Sequence, residues 1–157
     1  MPYGLADSAV TKTVAEWRAL GVKAQVGSAL PRSNGKASIL LPAGHQGPAF
    51  IVLPNFKAIK RYNNSTAYAL AVGMLSDRIY GAPPQRFKWP TEQKLLTRDQ
   101  RKEMQTLLTQ QGFDTKGIDG IFGANSRKAL RRWQLKNDLV PDAFATYQQL
   151  ELLRGKR

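Results

Sequence analysis

Two tyrosines and an asparagine near the middle of the chain have the residue types and spacing that suit a carbohydrate ligand. Tyr62 and Asn63 are adjacent, and Tyr68 follows five residues after Asn63. Tyrosine rings stack on the C–H faces of a sugar, and an asparagine amide both donates to and accepts from hydroxyl or N-acetyl groups. A structural interpretation is also open, in which Asn63 and Asn64 form a turn, Ser65 caps a helix and both tyrosines lie in the core. The spacing alone favours this structural interpretation.

The loop from Asp114 to Gly123 alternates acidic residues with glycines, as calcium loops do. An EF-hand loop needs acidic ligands at its positions 1, 3 and 5 and a glutamate at position 12. Here Lys116 stands at the third position and no glutamate stands at the twelfth. A tight turn in which a glycine supplies the positive φ explains the pattern better. We therefore expect no metal ion but a structural turn built on Asp119, Gly120 and Gly123.

The counts of cysteine and histidine exclude several kinds of catalytic and metal site. The 157 residues include no cysteine and a single histidine, His45. The lack of cysteine excludes disulfides, thiol nucleophiles and cysteine-based zinc sites within this sequence. A Ser-His-Asp triad would depend on His45 alone. We expect no cofactor.

The charge of the chain favours an anionic partner. With 24 Lys and Arg against 11 Asp and Glu, the formal net charge is +13. A protein with such an excess of positive charge is suited to bind nucleic acid, anionic lipid or an acidic cell-wall polymer. The nucleic-acid alternative draws on a cluster of basic residues in one predicted helix, namely Arg127, Lys128, Arg131, Arg132 and Lys136.

The elements that must position these residues are mostly helices. A capping box predicts a short helix after Thr13, and two apolar runs, 37–41 and 49–53, predict a β-hairpin with a long loop. Asn55 is expected to cap a short helix through Ile59. Apolar residues at helical spacing predict a further helix from Thr66 to Tyr80.

The last 60 residues predict a three-helix bundle. Capping boxes at Thr97 and Thr146 begin its first and last helices, and the middle helix covers roughly Ser126 to Lys136. A segment with three prolines precedes the bundle and is typical of a linker. The sequence thus predicts a mainly α (α+β) chain, with one domain at 1–82, a linker at 83–96 and a second domain at 97–157.

The second predicted domain resembles the three-helix peptidoglycan-binding domain. The motifs that carry the resemblance are Met104-Gln105, Gly112-Phe113, Asp119-Gly120-Ile121-Phe122-Gly123, Trp133-Gln134 and Leu139-Val140-Pro141-Asp142. The sequence departs from the family pattern at Ala143, where a glycine is usual, and at Ser126, where threonine is common. The resemblance implies that this domain binds peptidoglycan.

The first predicted domain resembles the end of the lysozyme-like catalytic domain of the lytic murein transglycosylase B family. The matching segments are Glu16-Trp17-x-x-Leu20-Gly21-Val22, Leu41-Pro42-Ala43-Gly44, Gly47-Pro48-Ala49-Phe50, Asn55-Phe56 and Tyr62-Asn63-x-Ser65-x-x-Tyr68-Ala69-x-Ala71-Val72. The resemblance implies that Tyr62, Asn63 and Tyr68 line the glycan cleft. It also implies cleavage of the MurNAc–GlcNAc bond to a 1,6-anhydro product by one glutamate that acts as acid and then as base.

That catalytic glutamate has no counterpart in this sequence. In the family it lies in a Glu-Ser/Thr-x-Tyr-Gly motif upstream of the matched segment, and no glutamate here has that context. Glu16 belongs to a capping box instead. We therefore assign no catalytic residue and expect the chain to be inactive alone, as the C-terminal part of a longer transglycosylase.

The expected partners follow from the two resemblances. They are peptidoglycan glycan strands, their stem peptides and the missing N-terminal half of the catalytic domain, with no nucleic acid and no transmembrane segment. The resemblance implies a periplasmic or cell-envelope location. No signal peptide is visible, and we expect one upstream.

Overall fold

The computed structural model describes residues 2–25, 29–84 and 86–155. Its contacts divide the chain into two units. The first comprises Met1–Pro42 and Gly47–Lys88, and the second comprises Ala43–Gln46 and Trp89–Arg157. Both units are mainly helical, and the first also contains a small antiparallel sheet. The predicted fold class is confirmed.

The sheet of the first unit has three strands in the order β1-β2-β3. They are β1 (Lys12–Thr13), β2 (Lys36–Leu40) and β3 (Phe50–Val52). Strands β2 and β3 form the predicted hairpin, with Ser38 opposite Val52. The two-residue strand β1, which pairs with β2 through Lys12 and Ala37, is too short to show a pattern in the sequence.

Residues from helices pack on both faces of the sheet. Successive residues of β2 point to opposite faces, so each face contacts a different cluster. Ile39 packs with Trp17 of α1 (Val14–Ala19), whereas Leu40 packs against the cluster of Phe56. The indole Nε1 of Trp17 donates to the carbonyl of Ala37 at 2.9 Å. The first unit therefore has two small cores separated by the sheet.

Two further helices complete the first unit, α2 (Pro54–Tyr62) and α3 (Thr66–Ile79). The prediction that Asn55 caps α2 is wrong. Leu53 is the N-cap and makes no side-chain capping bond, and Pro54 follows in the first turn, where its fixed φ suits a helix. Ser65 caps α3 as predicted, since its hydroxyl accepts from the Tyr68 N–H at 3.2 Å.

The described residues of the second unit form one short 3-10 helix at Gly44–Gln46 and three α-helices, α4 (Arg98–Gln110), α5 (Ala124–Lys136) and α6 (Tyr147–Gly155). Their buried side chains share one core, made of Leu96, Met104, Leu107, Leu108, Phe113, Ala129, Leu130, Trp133, Leu150 and Leu153. Leu96 lies within the predicted linker, yet it is only 6% exposed. The end of that segment is therefore part of the bundle core.

Two of the three predicted capping boxes form completely. The boxes of Thr13 with Glu16 and of Thr97 with Gln100 each have both of their hydrogen bonds. At the third, the Gln149 N–H donates to the Thr146 hydroxyl at 3.3 Å. Gln149 Oε1, however, is buried without a hydrogen-bond partner among the described residues. Only half of this box is present.

Within 2–25, 29–84 and 86–155, no helix has the length and apolar character needed to cross a membrane. The same residues contain no group of three or more His, Asp or Glu side chains that could hold a metal ion.

Candidate functional site

The junction of α2 and α3 brings together the three residues that the sequence assigns to carbohydrate. Tyr62 ends α2, Asn63 is its C-cap, and Tyr68 lies in the first turn of α3. The two tyrosine rings are 6.2 Å apart between centroids and inclined by 33°. Tyr62 is 85% exposed and Tyr68 is 38% exposed. The interpretation that places both tyrosines in the core is therefore wrong.

The connection between α2 and α3 agrees with the other part of the structural interpretation, which places a turn at Asn63 and Asn64. Asn63 Oδ1 accepts a hydrogen bond from the Ser65 N–H at 3.0 Å, which restricts the orientation of the amide. Asn63 Nδ2 donates to no group among the described residues. The junction thus presents two inclined aromatic faces and an amide donor to solvent, which is a set of groups that can stack on a sugar and donate to its oxygens.

Glu16 does not have the environment of a general acid. Its Oε2 accepts from the Thr13 N–H at 2.7 Å and from the Thr13 hydroxyl at 2.9 Å. These hydrogen bonds hold the pKa of the Glu16 carboxyl below its ordinary value, whereas a glycosidase acid needs a raised pKa. Of the other glutamates, Glu103 and Glu151 both pair with Arg154 in the second unit.

The predicted turn of the second unit is centred on Asp119 and Gly120. Asp119 Oδ1 accepts from the Ile121 N–H at 2.8 Å and from the Gln105 amide at 3.1 Å. Gly120 has a φ of +77°, and its N–H donates to Gln105 Oε1 at 2.8 Å. A Cβ at Gly120 would lie 2.8 Å from Cγ and 2.9 Å from the carbonyl oxygen of Arg98. The turn therefore requires glycine at this position.

Gly123 has a different role in the same loop. It is the N-cap of α5, with a φ of −76° that any residue can adopt. A Cβ added there would meet nothing within 4 Å. Of the two glycines assigned to the turn, only Gly120 is required by the backbone geometry.

A second turn repeats the bonds of the first one. Gln134 Nε2 donates to Asp142 Oδ1 at 2.9 Å, and Gln134 Oε1 accepts from the Ala143 N–H at 2.9 Å. Asp142 Oδ1 also accepts from the Phe144 N–H at 2.9 Å. Ala143 takes the place of Gly120 and has a φ of +57°. The departure from the family pattern at Ala143 thus keeps the turn but places an alanine in the left-handed region.

The second turn also binds His45, a contact that the sequence analysis missed. The backbone N–H of His45 donates to Asp142 Oδ2 at 2.8 Å, and the ring Nδ1 lies 2.7 Å from the same oxygen. The Asp142 side chain is only 3% exposed. Gly44, with a φ of +66°, leaves no room for a Cβ, which would lie 2.8 Å from Asp142 Oδ2. Residues separated by 97 positions leave no pattern in a single sequence.

Three of the five basic residues in α5 contact other residues of the bundle. The Arg132 guanidinium and the Lys136 ammonium lie 5.9 and 5.7 Å from the centroid of the Phe113 ring. Arg131 donates through Nε to the Pro141 carbonyl at 3.4 Å. These contacts give Arg131, Arg132 and Lys136 a structural role in addition to any role in binding.

Comparisons with known proteins match both units. A family model described as Transglycosylase SLT domain matches residues 1–77, and one described as Putative peptidoglycan binding domain matches residues 97–153. The second description names peptidoglycan and neither names nucleic acid, which favours murein over nucleic acid. Among curated proteins there is no match.

Solved structures of SltB3 from Pseudomonas aeruginosa are also similar. SltB3 in complex with NAG-anhNAM-pentapeptide has a TM-score of 0.90 and 46% identity, covering 98% of this chain and 42% of the SltB3 chain. SltB3 in complex with NAG-NAM-pentapeptide has a TM-score of 0.90 and 45% identity, covering 98% and 41%. The chain thus spans less than half the length of these solved chains.

Residues 1–77 therefore match the transglycosylase SLT domain family and residues 97–153 match the peptidoglycan-binding domain family, as the two resemblances predict.

Proposed function

We propose that this chain is the peptidoglycan-binding portion of a lytic transglycosylase, with a glycan subsite at Tyr62, Asn63 and Tyr68. The observation that carries the proposal is the exposure of both tyrosine rings, 6.2 Å apart, at the α2–α3 junction, where Asn63 is the C-cap of α2. This junction lies in the segment that matches the transglycosylase model. A related chain of 46% identity is known in complex with a NAG-anhNAM-pentapeptide.

The proposed reaction cleaves the MurNAc–GlcNAc bond. A general acid protonates the oxygen that leaves with GlcNAc, and the C6 hydroxyl of MurNAc attacks its own C1 and gives up its proton to the same group acting as base. The product is a 1,6-anhydro sugar, with no water consumed. Because Glu16 has a lowered pKa in its capping box, we place the acid in sequence outside these 157 residues, in the remaining half of the catalytic domain.

The second unit would bind the same peptidoglycan at a position away from the glycan subsite. Its family match indicates peptidoglycan as the ligand, and stem peptides carry carboxylates that suit a chain of net charge +13. A protein that acts on peptidoglycan works in the periplasm or the cell envelope. We propose export by a signal outside this sequence.

A matched pair of tyrosine variants tests the glycan subsite. Tyr62→Ala removes one stacking face, and Tyr80→Ala removes a tyrosine of similar exposure, 88% against 85%, in the same unit. Calorimetric titration with a muropeptide should show about 2- to 10-fold weaker binding for Tyr62→Ala and no change for Tyr80→Ala. Equal affinities for both variants and the unaltered chain would refute the subsite.

Sedimentation separates murein binding from nucleic-acid binding. The chain should co-sediment with purified sacculi more than a control protein of similar net charge, and it should elute from DNA-cellulose at moderate salt, where non-specific phosphate contacts weaken. Retention on DNA without enrichment on sacculi would support the nucleic-acid alternative instead.

A further inference from the structure

Helix α3 carries apolar side chains all round its axis. From Thr66 to Ser76 it contains no charged residue. One side is packed in the first unit, where Ala69 is fully buried and Leu70 is 8% exposed, beside Phe56. A helix that is apolar on every side is typical of the interior of a larger domain.

The opposite side of α3 is exposed. Tyr68, Leu75 and Ile79 are 38%, 62% and 74% exposed, and half-buried Val72 lies between them. These four residues, at i, i+4, i+7 and i+11, form one row along the helix, which we name the α3 stripe. The ring of Tyr62 lies beside its first member. Exposed apolar patches of this kind mark interaction surfaces.

We propose that the α3 stripe is the docking surface for the part of a transglycosylase that has no counterpart in this chain. The proposal rests on the proposed function. Only 42% of the SltB3 chain is matched here, although the match covers 98% of this chain, so more than half of that relative is available to cover the stripe. The alternating spacing of four and three residues accepts the side chains of an adjacent helix, so the partner surface is an apolar helix.

The side chains of the stripe and the charge of the chain favour this polypeptide as the occupant over a carbohydrate or a second copy of the chain. Beyond Tyr68, the stripe residues Val72, Leu75 and Ile79 have no side-chain hydrogen-bonding group, so they offer nothing that binds the hydroxyls of a carbohydrate. A net charge of +13 opposes the close approach of a second copy. The stripe is also continuous with the tyrosine pair at Tyr62 and Tyr68. The polypeptide that covers the stripe would therefore form the facing wall of the glycan subsite.

Thiol labelling in a chimera tests the docking. The full 157-residue chain replaces the matched 42% of SltB3, and single variants Leu75→Cys and Ile79→Cys are compared in the free chain and in the chimera. The chain has no cysteine of its own, and mass spectrometry of the labelled peptide follows each position separately. Lys128→Cys, exposed on α5, is the control for reagent access.

We expect labelling at positions 75 and 79 to be at least about tenfold slower in the chimera than in the free chain, and labelling at position 128 to be unchanged. As a second measurement, Leu75→Glu with Ile79→Glu should leave the melting temperature of the free chain unaltered but lower that of the chimera.

The outcomes separate this proposal from the function it rests on. Equal labelling at positions 75 and 79 in a chimera that releases 1,6-anhydro products overturns the docking surface alone. Slowed labelling in a chimera that releases none supports the docking surface and overturns the proposed function. A chimera that fails to melt cooperatively, or slow labelling in a dimer of the free chain, contradicts the docking proposal.

Discussion

Gln134 and Ala143 are joined by a hydrogen bond from the alanine N–H to the buried amide oxygen, 2.9 Å long, and the alanine has a φ of +57°. The equivalent bond of the first turn, from Gly120 to Gln105, is 2.8 Å long. The two turns therefore have the same hydrogen-bond geometry, but only one has the residue type that the backbone favours.

Ala143→Gly should stabilise the second unit. The left-handed conformation costs an alanine about 1–2 kcal/mol, and glycine removes this strain. Because glycine also gives the unfolded chain more conformational freedom, part of the stabilisation is offset, and we expect the free energy of unfolding to rise by about 0.5 kcal/mol. Urea unfolding measures it. Ala124→Gly, at the exposed start of α5, is the control and should give no increase.

Gly120→Ala should destabilise the bundle more than Gly123→Ala. The first substitution combines a φ of +77° with a Cβ 2.8 Å from Arg98 Cγ, and the second meets neither condition. We expect a loss of about 1–3 kcal/mol for Gly120→Ala and a change within about 0.5 kcal/mol for Gly123→Ala. Similar melting temperatures for the two variants would show that the turn does not depend on glycine.

The contribution of Asp119 to stability should be lost in acid. Hydrogen bonds from the Ile121 N–H and from the Gln105 amide hold the pKa of the Asp119 carboxyl below its ordinary value. A carboxyl with a lowered folded-state pKa stabilises the fold above its unfolded pKa, about 3.9, and loses that effect as the pH falls through the folded value.

Asp119→Asn isolates this effect, because its Oδ1 can still accept from the Ile121 N–H while the charge is removed. The difference in unfolding free energy between the two proteins should be constant above about pH 5 and should shrink below about pH 4. Urea titrations across this range measure it, and a difference that stays constant down to pH 2 would contradict the assignment.

The 157-residue chain should release no 1,6-anhydro-muropeptides from murein. General acid catalysis alone contributes about 10²–10⁴-fold, and Glu16, with its lowered pKa and its bonds to Thr13, is not placed to supply it. Mass spectrometry of murein digests gives the answer. Products that disappear in Glu16→Gln would identify Glu16 as the acid after all.

Local features of the fold were predictable from the sequence. The capping residues Thr13, Ser65 and Thr97 act as their spacing indicates, because an N-cap hydroxyl bonds to a backbone N–H only three residues away. Gly120 was likewise predictable as a positive-φ position. Asn55 was not a cap because the adjacent Pro54 begins the helix itself.

Features that depend on distant parts of the chain were not predictable. The exposure of Tyr62 and Tyr68 depends on what packs beside α3, and the helical spacing of these residues is equally compatible with a core. The contact of His45 with Asp142 joins residues far apart in sequence. The glutamines of the two turns, Gln105 and Gln134, are polar but fully buried, which a pattern of apolar residues cannot indicate.

The α3 stripe also has a consequence for the solubility of the chain. In dilute buffer the net charge of +13 keeps molecules apart, but the range of that repulsion shrinks from about 10 Å at 0.1 M salt to about 3 Å at 1 M. At high ionic strength the uncovered rows of Leu75 and Ile79 can then meet. Raising the salt concentration towards 1 M should therefore promote precipitation of this chain.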